Sequence, residues 1–201
     1  MKIGVLASQG AFAEHIAILR RLGVEAVPVR LPEDLKGING LIIPGGESTT
    51  ISKLMLAYKL SDEIRKLAKK GIPIWGTCAG MIMLADKLPG STVEPLGLMK
   101  IGVRRNAFGR QKESFETELA IPVLGKKPFP AVFIRAPAIE ESNGEVEVLA
   151  RLDDGTIVAA RQGKLLASAF HPELTDDPRF HQYFLNIVAK NRQKTKSISR
   201  K

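Results

Sequence analysis

A doubly wound α/β fold, with a mostly parallel sheet and flanking helices, is the class this chain predicts. Short apolar runs of strand length recur at 2–7, 24–29, 40–43 and 72–75, and stretches of helical periodicity separate the first of them and precede the last. Such runs, apolar on successive residues, are what strands buried on both faces look like. After Leu96 the texture changes to short strand candidates broken by turn signals, which predicts additional mixed or antiparallel strands in the C-terminal half.

The elements follow in order. Lys2 to Ala7 is a buried strand, and Ser8-Gln9-Gly10 turns the chain. Ala11 to Leu22 then has helical spacing through Phe12, Ile16, Leu19 and Leu22, stopped by Gly23. The strand Val24 to Val29, a polar stretch and the strand Gly40 to Ile43 lead to the turn Pro44-Gly45-Gly46. A helical run from about Ile51 to Leu60 follows, and Ser61 reads as the N-cap of a second helix over Asp62 to Lys70. Ile72 to Trp75 is the next strand, and Met81 to Ala85 a helix-like run. Strand candidates then fall at 98–104, 115–121, 131–134, 146–152, 157–161 and 165–170. The last element, Asp176 to about Arg192, is an amphipathic helix with Phe180, Phe184, Ile187 and Val188 inward.

With 201 residues and 44% hydrophobic content, the chain supports one core, and we expect a single domain over 1–192. The segment 193–201 is expected to be a flexible, solvated basic tail. One cysteine leaves no internal disulfide and fits a reducing compartment. No run approaches the roughly 18 apolar residues of a membrane span, and the N-terminal apolar run is too short for a signal core, so a cytoplasmic location without membrane contact is expected. The net charge of +9 raises nucleic-acid binding, but the cations are scattered outside the tail and aromatics are only 5%. A nucleic-acid partner is therefore not expected.

The chemistry concentrates at Gly76-Thr77-Cys78-Ala79-Gly80, between a strand and a helix-like run. Gly-x-nucleophile-x-Gly in that context is an elbow that exposes a strained residue above the sheet edge. The competing reading is a small buried cysteine, which is what most free cysteines are. Of the three histidines, His15 and His181 lie inside helices and read as surface or capping residues, with Asp177 placed to pair with His181. His171 follows a strand and precedes Pro172, which favours extended backbone, so Glu173 would project to the same side. A thiol with pKa near 8.5 needs a base, and an imidazole oriented by a carboxylate supplies one. Cys78, His171 and Glu173 are thus the candidate triad. Oxyanion donors would be the N–H of Ala79, next after the nucleophile, and one from the glycine turn, for which Gly46 is preferred over Gly45. Zinc-ligand spacing and a phosphate-loop signature are both missing from the sequence, and no metal or cofactor is expected.

Together Pro44 to Ser48, Gly76 to Gly80 and His171-Pro172-Glu173 resemble the class I, triad-type glutamine amidotransferases. Further stretches narrow the resemblance to the glutaminase subunits of pyridoxal 5′-phosphate synthase. These are Gln9 to Phe12 with Glu14-His15, Gly45 to Thr50, Arg105 to Gln111 with Ser114 to Glu116, Phe133 to Pro137, and Phe170 to Thr175. The resemblance implies hydrolysis of L-glutamine to glutamate and ammonia, with ammonia passed to an obligate synthase subunit in a large hetero-oligomer. It implies substrate contacts from Gly46, Glu47, Ser48, Arg105, Ile134 and Arg135. It further implies weak activity in the free subunit, and Gln9 stands where it can relay docking to the site. Two other readings compete: a related cysteine hydrolase, such as a γ-glutamyl hydrolase or a DJ-1-like peptidase, and a docking module with a dead site.

Overall fold

A computed structural model describes residues 1–109 and 113–198; Arg110, Gln111, Lys112 and the end of the basic tail, 199–201, lie outside the described residues. Five strands form the parallel part of the main sheet in the order β2 (Glu25–Val29), β1 (Lys2–Leu6), β3 (Gly40–Ile43), β4 (Ile74–Thr77) and β12 (Leu165–Ser168). Their registers place Ile43 beside Gly76 and Thr77 beside Ser168. Every residue of β3 and β4 is buried, as central strands covered on both faces require.

Alternation along β4 shows which helices cover which face. Trp75 and Thr77 look toward α1 (Phe12–Arg21) and α5 (Arg179–Ile198): the Trp75 ring centroid lies 5.5 Å from that of His15, 5.3 Å from that of Phe180 and 5.6 Å from that of Phe184. Gly76 faces the opposite side, against α4 (Ala79–Leu84), which packs on β3, β4 and β12. The helices α2 (Ser48–Ala57) and α3 (Leu60–Lys69) continue that layer. The sheet is doubly wound, as the apolar runs predict.

Beyond β12 the sheet turns antiparallel through β11 (Ile157–Gln162), β9 (Ala138–Ser142) and β6 (Met99–Arg104), with β10 (Glu147–Arg151) also on β11. A short β5 (Ala85–Lys87) runs parallel to β6 at the edge, and β7 (Ser114–Leu119) and β8 (Phe129–Ile134) make a separate antiparallel ribbon. Phe115 and Phe133 stack across that ribbon with centroids 4.6 Å apart.

Several boundaries differ from the sequence reading. The strand expected at Ile72 to Trp75 is Ile74–Thr77, so the nucleophile candidate follows the strand directly. Ser61 is not a cap: α3 starts a residue earlier, its N-cap Lys59 has φ 58°, and Ser61 is buried. The helix α2 starts at Ser48, before the apolar periodicity begins, because Glu47 caps it. β5 and β9 escape sequence reading: the first has three residues, and the second carries Glu140 and Glu141 toward solvent. The last helix starts at Arg179 and runs to Ile198, past the expected end near Arg192.

Candidate active site

Sites in open parallel sheets form beyond the carboxyl ends of adjacent strands. Four such ends meet here. β1 delivers Gln9 and Gly10, β3 the Pro44–Glu47 loop, β4 delivers Cys78, and β12 delivers His171 and Glu173.

Cys78 sits at φ 48° and ψ −106°, backbone angles that non-glycine residues seldom adopt. Its N–H donates to Ser168 O at 2.7 Å, and its own carbonyl accepts from Met81 and Ile82, so both neighbouring elements hold the bend. The glycine at position 80 is required by contact: a Cβ there would lie 1.9 Å from Ile43 O. Sγ lies 3.8 Å from Ile134 O.

His171 is anchored by its N–H on Val132 O at 2.8 Å, and its Nδ1 lies 2.6 Å from Glu173 Oε1. The expected neighbours therefore meet, but by another route. Pro172–Leu174 is a 3-10 turn, and this turn, not strand alternation, folds Glu173 under the imidazole. Burial works against charge on His171, yet its hydrogen bonds to Cys78 and Glu173 outweigh that and push it up to about 10. Burial likewise opposes charge on Glu173, but the neighbouring His15, then the hydrogen bond and charge of His171, hold it well below the usual carboxylate range. An ion pair next to the sulfur suits a cysteine nucleophile and a proton donor for the leaving group.

A cleft of about 440 Å³ opens on these groups. Gly46, Glu47, Ser48, Arg105, Ile134 and Arg135 all line it beside Cys78, Ala79 and His171, and the structure adds Ile82 and Asn106. Arg105 Nη2 lies 3.9 Å from Glu47 Oε1, and Nη1 lies 3.4 Å from Ser91 Oγ. Glu47 accepts from the Thr50 hydroxyl and from the N–H groups of Thr49 and Thr50, and it is pushed down to about 2, first by the Thr50 hydroxyl. In this structure its carboxylate caps α2. Arg135, at φ 44°, has a mostly exposed side chain 3.5 Å from Glu113, so it forms the rim rather than the floor. Gln9 Oε1 accepts the Glu47 N–H at 2.7 Å, tying the first loop to the second.

A sequence profile of the SNO glutamine amidotransferase family matches residues 5–190. The chain belongs to that family. This SNO-family chain is 61% identical, over 94% of its length and 97% of the relative's, to the "Pyridoxal 5′-phosphate synthase subunit PdxT" of Dehalococcoides mccartyi. It is also 61% identical to the protein of the same name from Herpetosiphon aurantiacus, over 93% of this chain and all of that one. A crystal structure described as a glutamine amidotransferase superposes with a TM-score of 0.88 at 52% identity, covering 93% of this chain and 98% of that chain. This SNO-family chain shares its mixed α/β architecture with that structure.

Two residues of the site escaped the sequence reading. His15 and His181 are fully buried, not surface or capping groups. Asp177 pairs with Arg179 at 2.6 Å, while His181 Nε2 lies 2.9 Å from His15 Nδ1. The signal was available: 12, 15, 16 and 19, and again 181, 184, 185 and 188, follow the i, i+3, i+4, i+7 spacing of an inward face.

Proposed function

We propose that this protein is the glutaminase subunit of a pyridoxal 5′-phosphate synthase, hydrolysing L-glutamine to glutamate and ammonia for a separate synthase subunit. The support that carries most weight is the meeting of Cys78 and His171 at one cleft, with Glu173 bonded behind the imidazole, in a chain so similar to subunits of that name. The Cys78 thiolate attacks the side-chain amide carbon of glutamine. The N–H groups of Gly46 and Ala79 take the oxyanion, each worth on the order of a hundredfold in rate. His171 gives its proton to the amide nitrogen, the C–N bond breaks, and ammonia leaves. His171 then takes a proton from water as that water attacks the γ-glutamyl thioester, the C–S bond breaks, and glutamate leaves with the thiolate–imidazolium pair restored. Arg105 is the cation for the substrate carboxylate, and Gly46, Glu47, Ser48, Ile134 and Arg135 complete the pocket. Glu47, spent on the α2 cap in this structure, either turns to the substrate amino group or acts by holding its loop.

The synthase subunit is an obligate partner in a large hetero-oligomer, and the complex is cytoplasmic. No helix among the described residues is long and apolar enough to cross a membrane. Because ammonia released into water is lost, activity should depend on docking. Treating the protein with a glutamine-analogue diazo-ketone, with and without the synthase subunit, tests this. Partner-enhanced labelling of Cys78, located by mass spectrometry, is the expected result; labelling elsewhere, or none in either condition, refutes it.

Gln9 is the coupling residue in this scheme, since its side chain holds the Glu47 N–H. Gln9→Ala is expected to lower partner-stimulated glutaminase by about 10- to 100-fold, up to the scale of a group misplaced by about 1 Å, while complex formation measured by ultracentrifugation changes far less. Equal losses in both would remove Gln9 from the relay.

A further inference from the structure

Behind the triad lies a chain of buried polar groups that the proposed reaction does not use. Glu173 stands between two imidazoles: Oε1 is 2.6 Å from His171 Nδ1, and Oε2 is 3.3 Å from His15 Nε2. His15 Nε2 is also 3.3 Å from Thr77 Oγ1, and that same oxygen accepts the Gly45 N–H at 3.0 Å. His15 Nδ1 is 2.9 Å from His181 Nε2, and the ring of Trp75 stands edge-on to both imidazoles, at 84° and 76°. Helices α1 and α5 thus each send one histidine beneath the sheet end that carries the site.

Resting on the reading of Cys78, His171 and Glu173 as the catalytic chain, we propose that His15 and His181 extend it inward as positioning residues. His15 offers its Nε2–H to the pair formed by Thr77 Oγ1 and Glu173 Oε2, both 3.3 Å away, the carboxylate oxygen having no other hydrogen-bond partner among the described residues, and His181 sets the His15 tautomer that makes this donor available.

Proton counting from the two ends gives the same answer. An ionised carboxylate only accepts hydrogen bonds, so His171 Nδ1 carries hydrogen, and His15 Nε2 carries one wherever it serves Glu173 rather than accepting from the Thr77 hydroxyl. A neutral His15 then has a lone pair on Nδ1, which must accept from His181 Nε2–H. From the other end, His181 Nδ1 is buried with no hydrogen-bond partner among the described residues. A buried orphan lone pair is tolerated better than a buried orphan N–H, which again puts the His181 hydrogen on Nε2. In the proposed arrangement both rings carry their hydrogen on Nε2, that of His181 on His15 Nδ1 and that of His15 between Thr77 Oγ1 and Glu173 Oε2. Burial holds His181 well below the usual imidazole range, consistent with a neutral ring.

The benefit to the reaction follows from the cost of burying charge. A buried carboxylate with one donor drifts toward its protonated form, and protonated Glu173 no longer accepts His171 Nδ1–H. The His15 N–H keeps Glu173 ionised and fixes the plane from which it orients His171. The groups facing this chain are Cys78 and His171 above, Thr77 and Trp75 on β4, the Gly45 N–H on the β3 loop, and Arg21 behind His181.

Two variants separate the donor from the shape. His15→Phe keeps a ring against Trp75 but loses the N–H; His15→Gln loses the ring but keeps an amide donor at a comparable reach. In the assembled complex, His15→Phe is expected to lower kcat about 10- to 100-fold, as loss of an outer orienting partner does elsewhere. Its acid limb of kcat/KM should move to higher pH by about one unit or more, while His15→Gln recovers most of both. The opposite order, with phenylalanine matching or exceeding glutamine, means packing alone and overturns the proposal. Nitrogen-15 NMR of the unmodified full chain needs no variant to fold, and only three histidines contribute. Neutral Nε2–H tautomers for His15 and His181 support the proposal; an Nδ1–H or imidazolium state for His15 overturns it. If the wild-type complex fails to hydrolyse glutamine, the glutaminase reading falls while the NMR result still decides the tautomers.

Discussion

Cys78→Ala is expected to abolish glutaminase activity in the assembled complex, by about 10⁴-fold or more, because removing a covalent nucleophile disables the whole triad at once. Its stability should reveal something less usual when set beside Cys78→Gly. Glycine is normally less stable than alanine inside ordered structure by about 0.5–1 kcal/mol. At φ 48° and ψ −106° that order should invert, since a side chain in such backbone geometry costs on the order of 1–3 kcal/mol and glycine avoids it. Cys78→Gly is therefore expected to be more stable than Cys78→Ala by about 1 kcal/mol in urea or thermal unfolding. The surrounding hydrogen bonds to Ser168, Met81 and Ile82 are made by backbone atoms and remain in both variants. An ordinary alanine-over-glycine order would show that the bend stores no strain. Substantial turnover by Cys78→Ala would remove Cys78 from the reaction.

The parts of this molecule that sequence discloses are those whose physics is local. Continuous apolar runs identify β1, β3 and β4, because strands buried on both faces have no polar side to show. The elbow is legible because Gly80 must be glycine to let α4 approach the Ile43 carbonyl. His171 and Glu173 are close in sequence, and their pairing could be anticipated although the turn that makes it was not. What escaped depends on tertiary contact. Glu47 as the cap of α2 breaks the usual preference for short polar side chains and is stabilised by Thr50 and by Gln9 from another loop. His15 and His181 are 166 positions apart, and only the packing of α1 and α5 on Trp75 brings their rings together. A histidine on an apolar helix stripe is a better warning of such a contact than its nearest acidic residue, as Asp177 shows by pairing with Arg179 instead.

Gly45→Ala is the second substitution expected to have a very large effect, and it removes no functional group. A Cβ at this position would lie 2.3 Å from His171 Cε1, 3.0 Å from His171 Nδ1 and 3.2 Å from Cys78 Cβ. The loop has little freedom to retreat. Gly45 N–H is bonded to Thr77 Oγ1 at 3.0 Å, and Gly45 O accepts the Ala11 N–H at 3.2 Å. The imidazole must move instead, breaking its 2.6 Å contact with Glu173. Displacing a catalytic group by about 1 Å costs on the order of 10²-fold in rate, so kcat should fall by about that much or more. Gly46 makes the contrast. A Cβ there meets the flexible end of Gln9, at 2.3 Å from Oε1, and the Gly10 backbone at 3.1 Å, and φ 158° disfavours any side chain, so Gly46→Ala should be felt through the Gln9 coupling and strain in its own loop and not by displacing His171. Nitrogen-15 NMR of His171 separates the two, with its resonances displaced in Gly45→Ala and near their original positions in Gly46→Ala. A Gly45→Ala protein with unmoved His171 resonances and near-normal turnover would show that the loop yields rather than the ring, and the glycine at position 45 would then be a matter of folding and not of catalytic geometry.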